Sequence, residues 1–159
     1  MVYFAANHLS FIRFCRLHDL SEFRPKFEHM SAVHSYTKVD MEIVEQLKAI
    51  VGEQYVFVDE ESLSNYAHDE TENLHFPPEV VVKPRTTDEI SAIMKLCNEK
   101  YIPVTPRGAG TGLAGAALAH KGGVLLSTER FNSILKIDER NHQVITEPGV
   151  ITEVLMEEV

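Results

Sequence analysis

Tryptophan is absent from this 159-residue chain, and cysteine occurs twice, at Cys15 and Cys97. Two cysteines so far apart form no CxxC pair, no disulfide framework and no zinc signature, which points to a reducing compartment. Positive charge is scarce. The 15 Lys and Arg residues against 24 Asp and Glu leave a formal net charge of −9. That balance argues against a nucleic acid or an anionic membrane surface as partner, because neither attracts an acidic surface. No apolar run reaches the roughly 18 residues that a membrane-spanning helix needs. What is present is 44% hydrophobic and 25% charged, a mixture that supports a packed core rather than wholesale disorder. At about 150 residues per domain, the length alone predicts one domain.

Residues 1–30 differ from the rest. They carry no acid before Asp19 but include Arg13, Arg16, Arg24 and Lys26. Without an uninterrupted apolar region or a small-residue cleavage site, they do not read as a secretory signal. Three readings stand: an Arg-bearing transit peptide, an unstructured or spurious leader with Met30 as the true start, or a genuine helix. From Asp40 the pattern turns helical, with Asp40 as cap, Ile43, Val44, Leu47, Ile50 and Val51 at helical spacing, and Gly52 as the stop. Residues 55–58 read as a short strand. Asp59 caps a short helix with Leu63 on its buried side, and 73–78 is a loop ended by Pro77-Pro78.

A βαβ unit follows. Residues 80–83 form a β-branched run suited to a strand buried on both faces. Thr86 and Glu89 match a capping box. Ile90, Ile93, Met94 and Cys97 make one apolar helix face, and 102–105 is the next strand. Cys97 and Met94 read as core residues rather than as chemistry. Residues 124–127 are a third buried strand, 134–137 and 143–147 are the arms of a hairpin, and Thr152 opens a helix with an acidic face at Glu153, Glu157 and Glu158.

The informative feature is a glycine cluster. Gly108, Gly110, Gly112 and Gly115 fall within eight residues. Glycine costs backbone entropy, so clustering needs a reason, and convergence of N–H groups on phosphate oxygens is one. Thr111 adds a hydroxyl and Arg107 a positive charge. A Walker A loop is absent, because no Gly-Lys-Ser/Thr follows. Residues 110–115 do match GxGxxG, with Glu129 about where a ribose-binding acid of a Rossmann NAD site belongs. The helix that such a site requires has no room before Gly122-Gly123, so 113–119 reads as a short apolar turn packed under the loop and Glu129 as a solvated acid. His68 and His75 are badly spaced for a metal, and His120 reads as a surface residue.

The run Pro106-Arg107-Gly108-Ala109-Gly110-Thr111-Gly112-Leu113-Ala114-Gly115 resembles the pyrophosphate loop of FAD-linked oxidases of the vanillyl-alcohol oxidase and p-cresol methylhydroxylase type. Glu147-Pro148-Gly149-Val150 resembles that family's second nucleotide-contacting turn, and Tyr66-Ala67-His68-Asp69 the segment that precedes the FAD domain. The nearest subgroup is that of the glycolate oxidase FAD subunit and the D-lactate and D-2-hydroxyglutarate dehydrogenases. The resemblance implies an α+β fold, the first α/β subdomain of an FAD-binding domain plus the opening of the second. It implies FAD held at Pro106 to Leu113, Gly115 and Glu147 to Val150. No histidine lies between Arg107 and Ala119, so the flavin is expected to be non-covalent. The substrate would be a 2-hydroxy acid such as glycolate or D-lactate. The electron acceptor stays open among a quinone, a cytochrome and an iron–sulfur partner. Tyr66 and Asp69 are expected to anchor the N-terminal segment to the FAD domain.

The expected layout is a leader over 1–30, a helical segment over 31–76 and an FAD-binding domain over 77–159 that is a fragment of a longer one. No catalytic residue can be assigned within it. A cytoplasmic protein, peripheral at a membrane or mitochondrial if 1–30 is a transit peptide, fits these features. A catalytically inert nucleotide-binding fragment and an NAD-binding Rossmann domain remain as alternatives. Missing partner elements predict exposed apolar surface along the strands at Val80, Ile102 and Val124, and a weak or absent flavin site.

Overall fold

The computed structural model describes residues 35–159, so the leader over 1–30 lies outside the described residues. Helix α1, Met41–Val51, begins where the Asp40 carboxylate accepts the Ile43 N–H at 3.0 Å. It ends at Gly52, whose φ of +93° suits a residue without a Cβ and whose N–H donates to the Lys48 carbonyl. Ile43, Val44, Leu47 and Val51 form its buried stripe. Strand β1 is shorter than the sequence pattern predicts, Val56–Phe57, because Tyr55 closes a 3₁₀ turn and Val58 is exposed. Helix α2, Glu60–Asn65, is capped by Asp59 as expected, with Leu63 half-buried.

Strand β2, Val80–Val82, leads through Pro84 into helix α3, Thr87–Glu99. The capping box forms with a shift. Thr86 Oγ1 accepts the Glu89 N–H, while the Glu89 carboxylate reaches the Arg85 N–H instead of that of Thr86. Strands β3, Val104–Arg107, and β4, Val124–Ser127, complete a sheet of order β1-β2-β4-β3, with β1 antiparallel and the others parallel. The βαβ unit therefore joins strands that are not neighbours, since β4 sits between β2 and β3. Pro106 and Arg107 end β3 rather than opening the loop. A proline is tolerated there because β3 lies at the sheet edge.

Ile43, Val44 and Leu47 pack with Val80, Val82, Ile93, Cys97, Val124 and Leu126 in one cluster. The alternating residues Val81 and Leu125 are also buried completely. Burying each such side chain stabilises the fold by about 1.5–3 kcal/mol. Two expectations fail. Met94 is 46% exposed, because it lies at the rim of the α3 stripe whose centre is Ile93 and Cys97. The strands at Val80, Ile102 and Val124 are not open either, since α1 and α3 cover them. Exposed apolar side chains gather elsewhere, on the hairpin β5, Ile134–Asp138, and β6, Gln143–Thr146, and on helix α4, Thr152–Glu158.

Candidate functional site

Parallel pairing sets Arg107 opposite Ser127, so the loops after β3 and β4 leave the sheet side by side. Ligands of parallel sheets collect beyond such carboxyl ends. The Thr128 N–H ties the two exits together by donating to the Arg107 carbonyl at 2.9 Å. The turn after β6 then folds back onto the loop after β4. The Glu147 N–H donates to the Ser133 carbonyl, and the Gly149 N–H to the Phe131 carbonyl at 2.7 Å. A Cβ on Gly149 would collide with the carbonyl oxygens of Thr128 and Phe131, so only glycine allows this approach.

The result is a cavity of about 420 Å³ lined by Gly108, Ala109, Glu129, Asn132, Gly149, Val150, Ile151 and Val154. The glycine loop and the second turn, forty residues apart in sequence, thus share one site. The remaining expected residues lie around it. Thr111, Gly112 and Leu113 are exposed beyond the cavity lining, and Gly115 donates its N–H to Thr71 Oγ1 at 2.8 Å. Pro148 is exposed. Glu147 stands outside the lining and serves the turn. Its carboxylate accepts the Ser133 N–H at 2.8 Å and an Arg85 N–H at 3.2 Å. The Ser133 hydrogen bond, helped by Arg85 against some burial, holds this acid below the usual glutamate range.

Arg107 does not present its charge outward. Its side chain is buried and donates to the His68 carbonyl at 2.8 Å. Its guanidinium stands 5.6 Å from the Tyr66 ring centroid, in the space a Gly110 side chain would take. Gly110 has φ +74°, so a side chain there would disturb Arg107 and the loop backbone together. Gly108 differs. It has no left-handed φ, and a Cβ on it would approach nothing closer than 4.0 Å. Among the described residues, nothing requires glycine at this position. Among the described residues, the backbone N–H groups of residues 108–112 donate to no partner. Free N–H groups on a loop without side-chain obstruction suit an anionic ligand.

The segment between α2 and β2 is hydrogen-bonded to the loops after β3 and β4, in keeping with the anchoring expected of Tyr66. Tyr66 donates to Glu129 at 2.6 Å. Asp69 accepts the Thr71 N–H and is 8% exposed, with its Oδ2 buried, unpartnered and facing Gly112. Burial pushes the Asp69 acid up, but the Thr71 hydrogen bonds and the Arg107 charge outweigh it and hold it below the usual range.

One reading needs correction. Leu113 is 77% exposed, so the apolar turn under the loop is made by Leu118 and Ala119, each 2% exposed. Glu129 is an exposed acid in the loop after β4, as expected, and Tyr66, Lys83 and Ser127 donate to its carboxylate. No helix occupies 116–121, which removes the Rossmann alternative. Burial pushes the Cys97 thiol up to about 11, in keeping with a small core residue rather than a nucleophile.

The family model described as the FAD binding domain matches residues 78–159, about half of the chain. The chain belongs to the FAD binding domain family. FAD is the cofactor of this family. The chain is 41% identical over 119 residues to the D-lactate dehydrogenase of Anaerostipes hadrus, covering 74% of this chain and 25% of that protein. It is 44% identical over 87 residues to the glycolate oxidase subunit GlcD of Bacillus subtilis, covering 55% of this chain and 18% of that one. Among solved structures, p-cresol methylhydroxylase with substrate bound is 28% identical, with a TM-score of 0.62 over 72% of this chain and 24% of its own. Alkyldihydroxyacetonephosphate synthase shares the fold at 19% identity, with a TM-score of 0.65 over 77% of this chain and 27% of its own. The chain thus spans about a quarter or less of the length of these proteins.

Proposed function

We propose that this chain supplies the diphosphate-binding part of a flavoprotein oxidoreductase that converts a 2-hydroxy acid of the glycolate or D-lactate type to the 2-oxo acid. The observation that carries the reading is the loop over 108–112, whose N–H groups have no partner among the described residues and whose Gly108 meets no obstacle among them. The loop backbone would hold the diphosphate of FAD, with Ala109 beside it and Gly149 and Val150 closing the opposite wall. Bound FAD supplies the hydride acceptor for the α-carbon of the substrate. The residues of this chain bind and orient. Arg107 stiffens the loop from behind, and Glu147 fixes the facing turn.

Attachment is non-covalent in this reading, because no histidine lies in 108–119 and His120 is exposed on the chain beyond the loop. Residues 77–159 form the FAD-binding portion, and 31–76 precede it. The names of the relatives, D-lactate dehydrogenase and glycolate oxidase subunit, favour a small hydroxy acid as substrate. Titrating the purified chain into FAD and following flavin fluorescence tests the cofactor part. Saturable quenching is expected, with the flavin released on denaturation. Absence of saturation at ligand excess would contradict the proposal.

A further inference from the structure

Glu129 is the acid in the cavity wall, and three side chains from separate elements aim it. Tyr66 donates its hydroxyl to Oε1 at 2.6 Å, Ser127 donates to the same oxygen at 2.9 Å, and Lys83 donates to Oε2 at 2.7 Å. A carboxylate offers about four accepting positions, two on each oxygen. The two on Oε1 are taken, and one on Oε2 remains. Lys83 is itself stacked at 4.9 Å from the Phe57 ring centroid and 5.3 Å from that of Tyr66, which limits its freedom to swing away. These three donors orient the exposed carboxylate, and Glu129 lines the cavity together with Gly108 and Gly149.

An acid so placed cannot bind the diphosphate, since like charges repel, yet it stands beside the loop that would. The groups flanking a diphosphate in a dinucleotide are sugar or ribityl hydroxyls, which donate. We propose that Glu129 is a specificity-determining residue whose free Oε2 position accepts a hydroxyl of the bound dinucleotide. This rests on the FAD reading above. Tyr66, Lys83 and Ser127 are its positioning residues. The same carboxylate would reject a ligand carrying a phosphoryl group in place of that hydroxyl.

The test compares the whole chain with its Glu129→Gln variant by calorimetric titration of FAD, ADP, FMN and inorganic pyrophosphate. A charge-assisted hydrogen bond lost to an amide should weaken FAD about tenfold or more. An equal loss for ADP with FMN unchanged assigns the contact to the ribose, and the reverse assigns it to the ribityl chain. Pyrophosphate affinity should not move. On the unmutated chain, 2′,3′-dideoxy-ADP or a deoxyribityl flavin should show the matching loss, which checks the contact without any substitution. FAD affinity within about twofold of the original in Glu129→Gln would overturn the inference alone. A parallel loss for pyrophosphate would also overturn it, by showing that Glu129 only braces the loop. Failure of the unmutated chain to bind any of these ligands would instead remove the cofactor reading on which the inference stands.

Discussion

The four-stranded sheet and the hairpin–helix unit of the same chain are built by opposite means. Strands β2 and β4 are buried at every position, and α1 and α3 close over one face of the sheet. The β5–β6 hairpin and α4 contain no fully buried residue, and Leu135, Ile145, Ile151 and Met156 are each more than half exposed. The first region is held by hydrophobic burial. The second is held to it by directed polar contacts at Glu147 and Gly149. The lesson concerns the cavity, which lies where the two regions meet. One wall comes from the loops that leave the sheet, and the other from the turn at Gly149 and Val150 with Ile151 and Val154 beyond it.

That contrast can be broken most sharply in the core. Leu47→Ala should cost about 2–5 kcal/mol, because it opens a void under a wholly buried side chain. Ile145→Ser, on the exposed hairpin, should stay within about 0.5 kcal/mol. Urea unfolding of both variants checks the pair, and equal losses would mean that the hairpin carries more of the fold than its exposure suggests. Next in size is Gly149→Ala. Its methyl would meet the Thr128 and Phe131 carbonyls, so the turn must move. A loss of about 1–3 kcal/mol is expected, as for an overpacked site. Amide exchange should rise at Gly149 and Ser133 while β2 and β4 stay protected. Uniform loss of protection would show that the two regions unfold as one.

Much of the first region is legible in the sequence because it obeys periodicity. The α1 and α3 stripes, the Asp40 and Thr86 caps and the β-branched strands are local patterns, and each appears where local chemistry places it. Strand order is not local, and nothing between Val80 and Ser127 announces that β4 inserts between β2 and β3. Met94 was misread because a stripe has edges that spacing alone does not mark. The meeting of Gly108 with Gly149 could be anticipated only by resemblance to a family. The contacts of Glu129 are not legible in the sequence, because Tyr66, Lys83 and Ser127 come from three separate segments and converge only in the fold. Arg107 was expected to supply a charge to the loop, yet burial turned it into a brace.

The central claim is that the loop after β3 lacks a side chain at Gly108 because a ligand must come close there. Gly108→Ala tests it directly, since the added methyl has room within the chain and a φ it can adopt. Titrated with FAD beside the unmutated chain, the variant should keep its unfolding midpoint and lose about tenfold or more in affinity. An unchanged affinity for FAD would contradict the account.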